Sequence, residues 1–493
     1  MKNIISLTGI LMLVSSVVMS QNLFDAYRLS TAQYSGTARS AAMGNAFGAL
    51  GGDFTSLSVN PAGIGLYRNS ELVITPRLDF NNSELTDGNT SYSDTKFKMN
   101  FNNIGFVSSF NSRKSSSGMV GFNLGIGINR LSDFNNTYYF NRSNSAASFL
   151  DNIVSYANTE GLANAYLDRD FREVEYRDWP SKLAWDTYLI NPYEDDQGNQ
   201  YDGEYVNILY ADETVNQKKR FDQSGGINEM ILSAGMNFSH KLYIGATFGF
   251  TDINLNQVSV YSEEFGGNSY DFRDDFSLIG NGYTLKLGVL YKPIQEVRLG
   301  LAFHTPTIMD IRQINDLSMD SYLQSSYSSG GSNEFDYTFN TPSKIVLSGA
   351  AVFGKNGLID IDLEYSDYSK MRFRNKYYDM TDLNTDIADN FNSVLNLRIG
   401  GEYKLNPAFA LRAGYEMYGN PYQYDDIIYE GSLTNPVSII GLGLGYATGS
   451  FFADLAYRQA MSDYKVSEIQ PNFTDLALKN NNSKILFTLG FRF

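Results

Sequence analysis

Fourteen stretches of this chain alternate apolar and polar side chains residue by residue. Each is about as long as the roughly 9–11 residues a β-strand needs to cross a bilayer. They fall at about 72–80, 97–110, 118–131, 230–238, 242–260, 282–291, 297–304, 344–353, 358–366, 394–404, 409–418, 438–447, 451–459 and 484–493. The clearest sets Val120, Phe122, Leu124, Ile126 and Ile128 against Gly121, Asn123, Gly125, Gly127 and Asn129. Successive side chains of a strand point to opposite faces, so each stretch has one wholly apolar face. An even number of such strands suits a closed barrel in a membrane. The connections sort independently of that search. Short ones lie at 111–117, 239–241, 292–296, 354–357, 406–407 and 448–450, and long ones at 132–229, 305–343 and 367–393. Short periplasmic turns opposite long extracellular loops are the organisation of outer-membrane barrels. The expected fold class is therefore all-β, a 14-stranded antiparallel transmembrane β-barrel over 71–493.

Both ends agree with that address. Lys2 followed by an apolar run from Ile4 to Met19 reads as a signal peptide over 1–20, too short to anchor the chain. In the last stretch Ile485, Phe487, Leu489, Phe491 and Phe493 share one face. A one-residue slip would turn Lys484 and Arg492 toward lipid, at roughly 2–4 kcal/mol each near the midplane. The terminal Phe493 is the expected assembly signal, read by a barrel-assembly machinery. Composition removes other classes. With 54 acidic against 38 basic residues the net charge is −16, the wrong sign for a nucleic-acid partner. Without cysteine there is no disulfide or thiolate site, and His240 and His304 are the two histidines. No carboxylate pair or Ser-His-acid set stands in a catalytic frame, so no enzyme, metal or cofactor is expected. A haem receptor is the outsider, on the strength of a loop histidine alone.

Between the leader and the first strand, 21–70 is rich in small residues and lacks the lipid-facing alternation. It contains Ala38-Arg39 through Gly44, then Gly52-Asp53 before a short helix that Asp53 is expected to cap, and Asn60-Pro61-Ala62. With those motifs, the strand count and the terminal Phe493, the chain resembles the long-chain fatty acid transporter (FadL/TodX-like) family of outer-membrane proteins. The resemblance implies a monomeric barrel plugged by an N-terminal hatch to which Asn60, Pro61, Ala62 and Asp53 belong. It implies passive uptake of hydrophobic small molecules such as fatty acids or aromatic hydrocarbons, with lateral exit into the membrane near the third strand. Gly121, Gly125 and Gly127 of that strand are the candidate exit. A lumen face kept small to make room for the hatch explains them equally well.

Two further groups carry candidates. The late strands place Asp360, Asp362, Glu364, Arg398, Glu402, Arg412, Glu416, Asp454, Arg458 and Lys484 on the polar face, either as a gate gripping the hatch or as mutually neutralising pairs in a narrow lumen. The segment 132–229 carries 18 acidic and 8 basic residues yet holds both tryptophans. Its helical spacing makes Phe149, Ile153, Tyr156, Trp179 and Trp185 candidates for hydrophobic ligand capture. The acidic clusters Glu194-Asp195-Asp196 and Asp425-Asp426 read as solvated loops or contacts to cation-bridged lipopolysaccharide. The function expected first is uptake of a hydrophobic ligand. The alternative is a non-transporting barrel that serves as a scaffold or secretion-system partner through its loops.

Overall fold

The computed structural model describes residues 23–31, 36–111, 118–210, 212–423, 432–466 and 476–493. The expected signal peptide and the Asp425-Asp426 pair lie outside the described residues. Fourteen strands form the ring: β1 (Glu71–Asp87), β2 (Thr90–Asn111), β3 (Met119–Asp133), β4 (Val215–Phe238), β5 (Leu242–Phe265), β6 (Asn268–Tyr291), β7 (Val297–His304), β8 (Lys344–Phe353), β9 (Gly357–Asp367), β10 (Ser393–Lys404), β11 (Phe409–Tyr418), β12 (Val437–Thr448), β13 (Phe451–Val466) and β14 (Leu476–Arg492). Each pairs antiparallel with the next, and β14 pairs antiparallel with β1 from Glu71↔Arg492 to Thr86↔Ala477, which closes the sheet. Closure removes the edges that would leave backbone polar groups unpaired in lipid. No helix among the described residues is long and apolar enough to cross a membrane.

The outward face is apolar at every expected strand. Leu124, Ile126 and Ile128 of β3 are exposed, as are Phe248 and Phe250 of β5 and Leu442 and Leu444 of β12. In β2 the outward parity changes from Phe97, Met99 and Phe101 to Ile104 and Phe106. The cause is a bulge: Thr75 faces Asn103 and Pro76 faces Phe101, so Asn102 is an extra residue. Proline lacks the N–H a regular ladder would need, and a bulge tolerates it.

Several strands run far past the bilayer. β4, β5 and β6 each have 24 residues, more than twice what a membrane crossing uses. Along β5 the apolar face swaps sides. Phe248 and Phe250 point out, whereas Ile253 and Leu255 are buried inside and Asp252 and Asn254 are exposed. Outside the membrane a sheet meets water on its outer face and packs a core on its inner one, so the pattern must invert. The stretch read at 242–260 runs through this inversion, whereas those read at 230–238 and 282–291 cover only the lipid-facing parts of β4 and β6. The connection read as a loop over 132–229 is accordingly part strand: 136–145 pairs with β4, and β4 itself begins at Val215. The β1–β2 and β5–β6 connections close tightly, with Gly88, Gly266 and Gly267 in the left-handed region that hairpin turns require.

Candidate functional site

The N-terminal segment is built for close approach. It comprises α1 (Leu23–Ser30), α2 (Ala38–Ala42), α3 (Ser56–Val59) and a 3-10 turn (Pro61–Leu66). Ala38, Ala41, Ala42, Met43, Ala46 and Phe47 are fully buried. Thr37 caps α2 by accepting from the Ser40 N–H at 3.1 Å, and its hydroxyl donates to Asp53 at 2.9 Å. Asp53 also accepts from the Thr55 N–H at 3.0 Å. The residue at the cap position of α3 is Thr55, so Asp53 ties the two helical pieces together instead of capping the helix as expected. Asn60 accepts from the Ala62 N–H at 3.1 Å and so caps the turn that Pro61 opens. Its amide donates to Gly48 O at 2.7 Å and to Val289 O of β6 at 3.3 Å.

Inward-facing glycines of the barrel form the seat. A Cβ on Gly245 would lie 2.2 Å from Pro61 O, one on Gly288 2.0 Å from Asn60 Oδ1, one on Gly400 2.0 Å from Met43 O, and one on Gly441 2.3 Å from Ala41 O. Gly125 and Gly127 belong to the same belt. A Cβ there would meet Leu57 at 2.7 Å and Phe54 at 2.4 Å. Gly121 is buried as well; all three pair in an unbroken ladder to β2, whereas the ladder to β4 shifts register between Met119 and Gly121 and again between Arg130 and Ser132. The remaining glycines were missed in the sequence because period-two glycine reads as weak strand rather than as a surface for a second backbone. Changing Gly400 to Val should force Met43 away at a cost of about 1–3 kcal/mol. Urea unfolding of the folded barrel checks this, and a midpoint equal to the parent's would contradict the seat.

Carboxylates then fix the segment by its backbone. Asp362 of β9 accepts from the Phe47 N–H and the Gly48 N–H, both at 3.1 Å, and Asp360 accepts from the Ala49 N–H at 3.4 Å. Asn45 donates to Glu416 at 3.0 Å and Arg39 to Glu402 at 2.9 Å. The Ala38 N–H donates to Thr488 of β14 at 2.7 Å. Thr247 donates to Leu57 O at 2.9 Å, and His304 Nε2 lies 3.0 Å from Val59 O. The same charges neutralise one another: Arg398 with Glu364 at 3.0 Å, Arg412 with Glu402 at 2.7 Å, Arg458 with Glu416 at 3.0 Å, and Lys286 with Glu229 at 2.7 Å. The two readings of the late-strand charges therefore describe one network, paired internally and gripping the segment. Its Glu229, Lys286, Thr247, Asn123 and Asn129 members on the early strands carried no sequence signal beyond polarity.

Toward the long-loop end, α1 fills the space above. Leu23, Ala26, Tyr27 and Leu29 pack with Ile227, Ile253, Leu278, Ile311, Phe339 and Ile439 of the wall and its extensions. Beyond it the loop between β3 and β4 folds over the extended strands and shares one core with them, Phe149 packing on Tyr261 of β5 and Phe272 of β6. This loop contains α4 (Phe149–Glu160), α5 (Asn164–Leu167), α6 (Trp179–Asp186) and a hairpin over Ile190–Glu194 and Gln200–Asn207. Phe149, Ile153 and Trp179 are buried in that core with Leu183, Leu189 and Tyr205. Tyr156 donates to Asp178 at 2.7 Å, and Trp185 donates to Asp168 at 2.9 Å and packs edge-on against Tyr205. Tyr205 donates to Leu162 O at 2.6 Å, and burial pushes its phenol up to about 12. Phe149, Ile153 and Trp179 thus stand inside the core of one loop-and-strand unit, and Tyr156 and Trp185 are partly buried against it. Changing Ile153 to Ala should cost that unit about 2–5 kcal/mol. Both tryptophans lie in or against this core, so their fluorescence reads its unfolding; a midpoint that does not move would refute the packing.

The other candidates are peripheral. Asp195 turns the hairpin by accepting from the Gln197 and Asn199 N–H groups at 2.9 Å, which holds its carboxyl at about 2. His240 sits in a left-handed turn beside Asn237. Among the described residues no group of three His, Asp or Glu side chains is placed to hold a metal. Phe493 stacks on Phe106 with 6.2 Å between centroids, and its backbone pairs with Ser70.

The structure is similar to solved toluene transporters and to a solved FadL homologue. The P. putida toluene transporter TodX matches with a TM-score of 0.53 at 12% identity, covering 93% of this chain and 98% of that one. A Pseudomonas aeruginosa FadL homologue gives 0.51 at 10% identity, with 92% and 98% covered. The Ralstonia pickettii toluene transporter TbuX gives 0.50 at 15% identity, with 93% and 98% covered. The chain therefore has the FadL/TodX fold. A search of curated proteins found no match. The family model described as BamG matches residues 203–455, from the loop hairpin before β4 through the start of β13. With just over half of its residues matched by that model, the chain belongs to the BamG family.

Proposed function

We propose that this chain is an outer-membrane barrel kept shut by its N-terminal segment, working as a membrane-embedded protein-binding subunit whose loop unit faces the cell exterior. The observation that carries the reading is the filled interior. Segment 36–66 is seated on glycine and bound by carboxylates, α1 packs above it, and the β3–β4 loop closes over the strand extensions with a buried apolar core. In this reading residues 36–66 are the hatch, with Asn60, Pro61, Ala62 and Asp53 holding its shape. The loops offer what interfaces use. Tyr210 and Tyr377 are 81% and 80% exposed, Tyr188 packs on Tyr327 at 4.6 Å, and the surrounding charge is acidic. The BamG family name fits the barrel-assembly machinery as the class of partner. Tagged full-length chain, cross-linked in cells and purified, should bring down barrel-assembly proteins, and deletion of 148–207 should abolish this while the barrel stays folded. Purification without them would overturn the reading.

A second reading is passive uptake of hydrophobic small molecules, favoured by the fold shared with the toluene transporters. Under it, ligand would enter by parting the loop core around Phe149 and Trp179 and leave past the hatch near Gly121, Gly125 and Gly127. Labelled oleate or toluene taken up only by cells that carry the chain would favour this reading over the first.

A further inference from the structure

The short-turn end of the barrel is charged opposite to the rest of the chain. Net charge is −16, and segment 132–229 at the other end holds 18 acidic against 8 basic residues. The short turns carry Lys241, Lys292, Lys355 and Lys404, with Arg68 just after the hatch and Arg298 at the start of β7. Glu296 is the one carboxylate of the described short turns. Lys241, Lys355 and Lys404 are exposed, and no ion pair among the described residues involves them.

These turns form one stiff rim. The Lys292 N–H donates to Lys241 O, the Val352 N–H to Glu296 O and the Lys404 N–H to Asn356 O, each at 2.7 Å, so every turn in this arc is bonded to the next. The two sides of the rim differ. Tyr291, Leu299, Tyr403 and Phe409 point outward and are exposed, as a lipid-facing girdle requires. Alternation sets Lys292, Arg298 and Lys404 on the inward side, that of the buried Leu290, Gly300 and Glu402. They face the mouth of the lumen and not the headgroups at the barrel's flank. Arg298 reaches the hatch itself and donates to Leu50 O at 2.6 Å. Burial lowers the Lys292 pKa, and the guanidiniums of Arg298 and Arg68 lower it further, with Glu296 acting against them. Cations crowded in this way favour an anion among them.

The length of the arc says what kind of anion. From the Lys241 turn to the Lys404 turn the rim crosses six strands, or roughly 30 Å at the usual strand spacing. A small anion cannot span that distance, whereas an extended polypeptide of roughly nine residues does. We propose that this rim docks an acidic, extended segment of a periplasmic protein, its carboxylates on Lys241, Lys292, Lys355 and Lys404. The assignment takes its orientation from the outer-membrane reading above and uses a surface separate from the loops. Docking bears on the hatch, because a carboxylate that reaches Arg298 competes with Leu50 O for the guanidinium.

The test uses the full-length barrel in nanodiscs of phosphatidylcholine and a fluorescein-labelled nona-glutamate peptide read by anisotropy. The parent should bind the peptide, and affinity should fall roughly ten-fold as salt rises from about 0.05 to about 0.5 M, because the contacts are exposed charge pairs. Lys241→Glu with Lys404→Glu should lower affinity about ten-fold or more, and Lys241→Arg with Lys404→Arg should hold it. Lys376→Glu, exposed at the long-loop end, should change nothing. Equal binding by the parent and the double Glu variant overturns the site. So does phosphatidylglycerol retained by the parent in native mass spectrometry, lost from the double Glu variant and not displaced by the peptide, since the cations then belong to headgroups. Fractionation separates this from the reading beneath it. A chain found outside the membrane defeats the outer-membrane assignment, whereas an inserted, heat-modifiable barrel that ignores the peptide defeats this inference alone.

Discussion

Deleting residues 23–66 should convert a barrel that barely conducts into an open pore, raising single-channel conductance in planar bilayers by an order of magnitude or more. The barrel itself should survive, because its stability lies in a ladder closed from β1 to β14 and not in the hatch. What the deletion exposes is the glycine seat: Gly125, Gly127, Gly245, Gly288, Gly400 and Gly441 face inward where the hatch backbone runs. Fourteen strands lie between the eight that side chains alone can fill and the 16–18 of water-filled porins, so the emptied lumen should admit water and ions. Folding is checked by heat-modifiable mobility on gels. A folded deletion that conducts no better than the parent would mean that α1's wall contacts and the loop unit seal the barrel by themselves, and that 36–66 is not a hatch.

Changing Arg398 to Met should cost about 3–5 kcal/mol, the expected penalty for leaving a buried charge without its partner. Arg398 lies fully buried between β9 and β11. It donates to Glu364 at 3.0 Å and stands 3.5 Å from Asp362, while Lys344 stands 3.6 Å from Glu364. Without the guanidinium, Asp362 keeps the Phe47 and Gly48 N–H groups but no cation within reach of these contacts. The cost should appear first as a loosened hatch, seen as faster proteolysis near residues 43–50 and flickering conductance, and then as a lower urea midpoint. Adding Asp362→Asn to Arg398→Met should recover a large part of the loss, since an amide oxygen still accepts from the hatch without a charge to compensate. If the double variant is no better than the single one, the penalty comes from lost packing and not from the uncompensated carboxylate.

All fourteen barrel strands were legible because lipid imposes a demand that every strand meets within its own few residues. One face must be apolar for the whole crossing, and period-two alternation records that directly. The terminal strand shows it best, with Ile485, Phe487 and Phe491 outward and Lys484 and Thr488 inward. Where lipid ends, the demand ends. The outer halves of β4, β5 and β6 bury Phe221, Ile253, Leu255 and Leu278 on the face opposite to their lipid-facing side, so the pattern inverted, and the outer halves of β4 and β6 read as loop while β5 read as strand as far as 260.

The hatch residues were visible as a composition, small and lacking alternation, but their partners were not. Asp362 on β9 and the Phe47 and Gly48 N–H groups lie more than three hundred positions apart. Nothing local distinguishes a carboxylate that binds a backbone from one that pairs with an arginine. The tertiary structure also turned aromatic residues of the β3–β4 loop from a surface into a core, because α4, α6 and the hairpin at 190–207 bury them against one another and against the extended strands, Tyr261 and Phe272 among them. What the sequence determined alone was set by the solvent around each strand, acting residue by residue. What the fold decided was which inward-facing groups meet, a matter of closing a ring of strands and seating a second backbone against glycine.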